Sequence, residues 1–84
     1  MKITFTSHAR IKFKILEKHG FKLTENQISE IVKNPESTST GRKGRKIFQN
    51  SFDDTHAIRV ICEVEASDIK VITFYPARKD RYEN

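Results

Sequence analysis

The chain holds one cysteine, Cys62, no tryptophan, two prolines and three glycines in 84 residues. A lone cysteine can form no intrachain disulfide, and it excludes a zinc site built on thiolates. A reducing, cytoplasmic setting is the expectation. With so few glycines there is no phosphate-cradling loop, since "GRKG" at 41–44 lacks both the spacing and the following helix. His8, His19 and His56 are dispersed and have no carboxylates at ligand spacing, so neither a metal nor another cofactor is expected. The start, "MKITFTSHAR", turns polar early, and no apolar run approaches the roughly 18 residues that cross a bilayer. No membrane partner is expected.

What the chain does have is positive charge. Sixteen Lys and Arg stand against eleven Asp and Glu, a net +5. Such a surface favours a polyanion or an acidic protein partner. The length permits one compact domain over residues 1–84, with room for one core.

"KITFT" alternates Ile3 and Phe5 with polar neighbours, the period of a half-buried strand. Ser7 then caps a helix, "HARIKFKILEKHG", in which Ile11, Ile15 and Leu16 share a stripe and Gly20 supplies the stop. Thr24 and Gln27 stand at capping-box spacing before Ile28, Ile31 and Val32, and Asn34-Pro35 ends that second helix. Beyond Pro35 the residues become β-branched and basic. A short strand, a loop at 41–44 and a strand from about Arg45 to Asn50 follow. "DDTH" turns the chain into "AIRVICEVE", which places Ile58, Val60, Cys62 and Val64 on one face and Arg59, Ile61 and Glu63 on the other. The last strand, "IKVITFYP", is closed by Pro76. The expected fold is α+β in the order β-α-α-β-β-β, with two helices on one face of a small, mostly antiparallel sheet.

Helices on one side leave the other side of the sheet open, and Arg59 is directed there from mid-strand. Lys43, Arg45 and Lys46 precede it on the basic loop and strand, and Arg78, Lys79 and Arg81 follow the last strand. Hairpin topology would bring these groups together, with the residues after Pro76 lying over the open face beside Arg59. Such a pocket suits RNA, because attack of a 2′-OH on the adjacent phosphate builds charge that fixed guanidinium groups stabilise. Tyr82 or His8 would be the base and Lys46 or Arg78 the proton donor. Tyr75, Tyr82 and Phe48 offer faces for unpaired bases. His19 reads as a helix-terminal cation, His56 as a turn residue and Cys62 as a small buried hydrophobe.

"SHARIKF", "LTENQISEIVKNPE", "IRVICEV" and "VITFYPARKDRY" together resemble the RelE/ParE toxin superfamily. The likeness is greatest to its small Ser-x-His-Ala domains and to BrnT-type toxins, whose "KHG" precedes the second helix as "EKHGF" does in this chain. The resemblance implies a toxin of a type II toxin–antitoxin pair, cutting mRNA without metal, often on the ribosome, and held inactive by a cognate antitoxin. It implies catalytic roles for Lys46, Arg59, Arg78 and Tyr82, with His8 sharing or replacing the tyrosine's part. Members that inhibit gyrase share the fold without cutting RNA, so a non-catalytic binding module is the alternative.

Overall fold

The computed structural model describes the backbone of residues 2–82 and the side chains of residues 2–80. The expected roles of the Arg81 and Tyr82 side chains therefore lie outside the described residues. In chain order run β1 (Ile3–Phe5), α1 (Ser7–Lys18), α2 (Glu25–Lys33), β2 (Ser37–Thr40), β3 (Lys46–Ser51), β4 (His56–Glu65), β5 (Asp68–Arg78) and the one-turn α3 (Lys79–Tyr82). The strands form one sheet in the order β1-β5-β4-β3-β2, parallel at β1–β5 and antiparallel elsewhere. The α+β architecture is the expected one. The short strand expected after Pro35 is Ser37–Thr40, which pairs with β3, so the sheet has five strands where the expected order counted four.

The first helix starts one residue earlier than its sequence suggests. Thr6 is the cap: its Oγ1 accepts from Ala9 N at 3.1 Å and donates to Ile72 O at 2.9 Å. That second bond, which Ser7 does not make, ties the helix start to β5. Gly20, at φ 90°, supplies the left-handed residue that ends the turn after α1. In α2 the capping box is complete, with Gln27 N donating to Thr24 Oγ1 and Thr24 N to Gln27 Oε1.

The core lies between the helices and one face of the sheet. Ile28, Ile31 and Val32 of α2 meet Phe48, Ile58 and Val60, while α1 packs on β5 through Ala9, Leu16 and the half-buried Phe13. Phe13 stacks at 4.7 Å on Phe74, which is fully buried, and at 5.9 Å on Phe5. The stripe expected on α1 divides. Leu16 goes inward, but Ile11 is 58% and Ile15 44% exposed. Ala9, Phe13 and Leu16 define the inner side of α1, and Ile11 and Ile15 fall on the opposite one.

β5 also departs from expectation, because it runs through Pro76 to Arg78. Pro76 pairs with Ile58 of β4, and β1 covers only residues 69–71 of β5 on its other side. At Pro76 the strand is therefore an edge, where a missing N–H is tolerated. Ile72 is the extra residue opposite the Ile61–Cys62 step, a bulge that bends β5 near its middle.

Candidate functional site

Alternation along the paired strands assigns each side chain to a face. On the helix side stand Phe48, Ile58, Val60, Cys62, Val71 and Phe74. On the other side, Gln49, Arg59 and Tyr75 form one cross-strand row, continued on β2 by Ser37. The neighbouring row is Ile47, Ile61 and Thr73, all half-buried.

Arg59 is held across that row. Its Nη1 donates to Gln49 Oε1 at 2.7 Å and its Nε to the Tyr75 hydroxyl at 3.2 Å. A guanidinium has five N–H donors in a planar fork, and these two bonds fix its plane. Arg59 and Tyr75 are thus brought together, as the sequence suggested for the open face. Gln49 was not singled out from the sequence. Its signal is the hairpin itself, whose paired residues are equidistant from Asp54, which sets Gln49 opposite Arg59.

The remaining cations distribute differently. Lys46 pairs with Cys62 and Thr40, a row on the helix side, and its Nζ donates to Thr40 Oγ1 at 3.2 Å. It therefore does not join Arg59. Arg78 pairs with His56, whose ring lies edge-on to Phe21 on the helix side, and Arg78 Nε reaches Asp80 Oδ1 at 3.4 Å. The expectation that Arg78 leaves the strand at Pro76 and lies beside Arg59 fails, because the strand continues through both residues. His8 is exposed in the first turn of α1, in the helix layer, with the sheet between it and Arg59.

Arg45, just before β3, approaches Glu63 on the open face, with Nε to Oε2 at 3.6 Å. That Nε is shut from solvent and has no hydrogen-bond partner among the described residues. Lys43 is exposed at φ 58° in the turn of residues 42–44, and Lys79 N donates to Thr55 O at 2.9 Å, anchoring the start of α3 on the β3–β4 turn. Ala57 and Ala77, open-face positions between the Arg59 row and α3, are buried yet stand outside the main core cluster.

Two groups depart from their ordinary protonation. The Asp53 carboxylate accepts from the backbone N–H of Thr55 and of His56, and these bonds, that of Thr55 first, hold its pKa below the usual carboxylate value. Burial pushes the Cys62 thiol up to about 12, so it is no nucleophile at neutral pH. Among the described residues no three His, Cys, Asp or Glu side chains gather as metal ligands would, and no helix is long and apolar enough to cross a membrane. No family model, no curated protein and no solved structure matches this chain.

Proposed function

We propose that the chain is a RelE-like toxin of a type II toxin–antitoxin pair, a metal-independent endoribonuclease that works in the cytoplasm and cuts mRNA on the open face of its sheet. The observation that carries this reading is Arg59, a mid-strand guanidinium held by Gln49 and Tyr75 on the face that the two long helices leave open. A cation in the middle of a strand contributes little packing, whereas a fixed fork of donors matches phosphoryl oxygens.

In the proposed step the 2′-oxygen of one nucleotide attacks its own 3′-phosphorus and the bond from phosphorus to the 5′-oxygen breaks. A 2′,3′-cyclic phosphate and a 5′-hydroxyl result. The 2′ proton goes to a base, a proton reaches the leaving oxygen, and Arg59 stabilises the charge on the non-bridging oxygens. Tyr75, whose hydroxyl lies 3.2 Å from Arg59 Nε, is the described residue best placed to move a proton there. Lys46, His8 and Arg78 stand away from this row and are assigned no step in it.

A second reading, non-catalytic grip on gyrase or another protein, is favoured by that same scatter of cations. The separating experiment incubates purified protein with mRNA in EDTA and analyses the ends. New 5′-hydroxyl ends support the nuclease; intact RNA supports the binding module; 5′-phosphate ends would point to activated water instead.

A further inference from the structure

We infer that Ile47, Ile61 and Ile72 form a subsite for one unpaired nucleobase, set beside Arg59 on the open face of the sheet. The inference rests on the reading of that face as the side that meets RNA, and adds to it the strandedness of the substrate and the residues that hold its base.

The three isoleucines lie in line across β3, β4 and β5. Ile47 pairs with Ile61, and on β5 the bulge sets two residues, Ile72 and Thr73, against that one. Val71 and Phe74 are both fully buried in the core, so Ile72 and Thr73 between them both turn from it. The bulge is held in place from β1's end, where Thr6 N donates to Val71 O at 3.1 Å and Thr6 Oγ1 to Ile72 O at 2.9 Å. Without the extra residue the third apolar side chain would be missing. All three isoleucines are half-buried, yet none belongs to the core cluster or packs against it.

The surroundings choose the occupant. Arg59 stands two residues along β4 from Ile61, about 7 Å away, with the Tyr75 hydroxyl beside it. A cation next to an apolar platform meets the two things a single strand presents, a phosphate and the face of its neighbouring base. Three strands at about 4.8 Å spacing make the patch about 10 Å wide, and it is one row deep. A flat base covers such an area. A partner helix needs an apolar ridge continued over successive turns and a second copy needs about 800 Å² per side, and three side chains supply neither. Base-paired RNA presents edges and sugars instead of ring faces, so a duplex cannot use the platform. Phe48, a candidate stacking face from the sequence, is turned into the core, and the isoleucines take that place.

The test titrates the full-length, methyl-labelled protein with a 2′-O-methylated hexanucleotide of mixed sequence, which offers no nucleophilic 2′-OH, and with an abasic oligomer of the same length and charge. The base-bearing oligomer is expected to bind about ten-fold tighter. It should also move the Ile47, Ile61 and Ile72 methyl resonances upfield by ring current, with Ile11 and Ile15 unmoved as internal references. A duplex of the same sequence should move none of them. Ile47→Thr with Ile61→Thr keeps the branched shape that strands favour and should bring the base-bearing oligomer to the affinity of the abasic one. Arg59→Ala should weaken both oligomers and reduce their salt dependence. Equal affinity of the two oligomers for wild type, with Arg59→Ala still weakening both, would overturn the base subsite and leave the RNA face standing. A base preference lost in the isoleucine variant, with affinity indifferent to Arg59→Ala, would keep the subsite and overturn the placement of the phosphate. Failure of both oligomers to bind overturns both. Should the paired substitution unfold the domain, the ring-current shifts of wild type still decide, and their absence on saturation refutes the subsite.

Discussion

Replacing Gln49 by glutamate should move stability and RNA affinity in opposite directions. Gln49 Oε1 accepts a 2.7 Å bond from Arg59 Nη1, and both side chains are half-buried on the open face. A carboxylate in the same place converts a neutral acceptor into a charged one. At that range the gross attraction is about 6 kcal/mol in a surface-like dielectric. Most is returned in desolvation, leaving roughly 1 kcal/mol net. For a domain of this size that corresponds to a rise of about 4–8 °C in Tm. The same carboxylate cancels the charge that a phosphate would meet. Affinity for single-stranded RNA should fall, and the slope of log K against log salt should shrink by about 0.7, the share of one phosphate contact. Thermal unfolding and fluorescence anisotropy across a salt series read the two quantities. If Tm rises while affinity and slope stay put, RNA does not use Arg59; if Tm falls, the Gln49–Arg59 contact is not what orders this face.

Three further outcomes follow from the packing and register. Phe74→Ala, which removes a fully buried ring stacked on Phe13, should cost about 3–5 kcal/mol, a large part of the roughly 4–13 kcal/mol expected for a domain of this length; a urea titration showing a loss under about 1 kcal/mol would mean that this ring is not central to the core. Cys62 should resist thiol reagents at neutral pH until the protein unfolds. Since its folded pKa lies near 12, above the unfolded value of 9.0, the thiol's contribution is intact below pH 9 and wanes between 9 and 12, so wild type should lose stability against Cys62→Ala across that window; parallel curves would contradict the burial. Lys46→Ala should leave RNA cleavage unchanged, because its row belongs to the helix side, and a cleavage rate depressed as far as that of an Arg59 variant would refute the assignment of faces.

The parts of the molecule legible in the sequence were those governed by local chemistry. The capping box at Thr24 and Gln27, the stripe of Ile28, Ile31 and Val32, and the alternation that separates Val60 from Arg59 are each written within a few residues. Register is not local. Phe52 N and Asp53 N both donate to His56 O, so the β3–β4 turn absorbs an extra residue and the hairpin is centred on Asp54. A centre half a residue later would pair Lys46 with Glu63 and turn it toward Arg59, since a one-residue slip reverses every side chain. Sequence spacing could not tell the two apart. Pro76 misled for a related reason: its cost depends on whether a neighbouring strand needs its N–H, and the short β1 does not reach it. The two apolar sides of α1 look like one stripe in the sequence because Ile11 and Ile15 keep the same spacing as a core ridge, and only the packing of Phe13 on Phe74 decides which side turns inward.

The role of Arg59 is settled by one measurement, the single-turnover rate of RNA cleavage in EDTA for wild type and Arg59→Ala prepared in parallel, with urea unfolding of both. Loss of the bonds to Gln49 and Tyr75 should cost about 1–2 kcal/mol of stability and leave unfolding cooperative. The cleavage rate should fall far more, by about 10² to 10³, the effect of removing one fixed donor from a developing phosphoryl charge. A folded Arg59→Ala protein that cuts at the wild-type rate would contradict the placement of the reaction on this face.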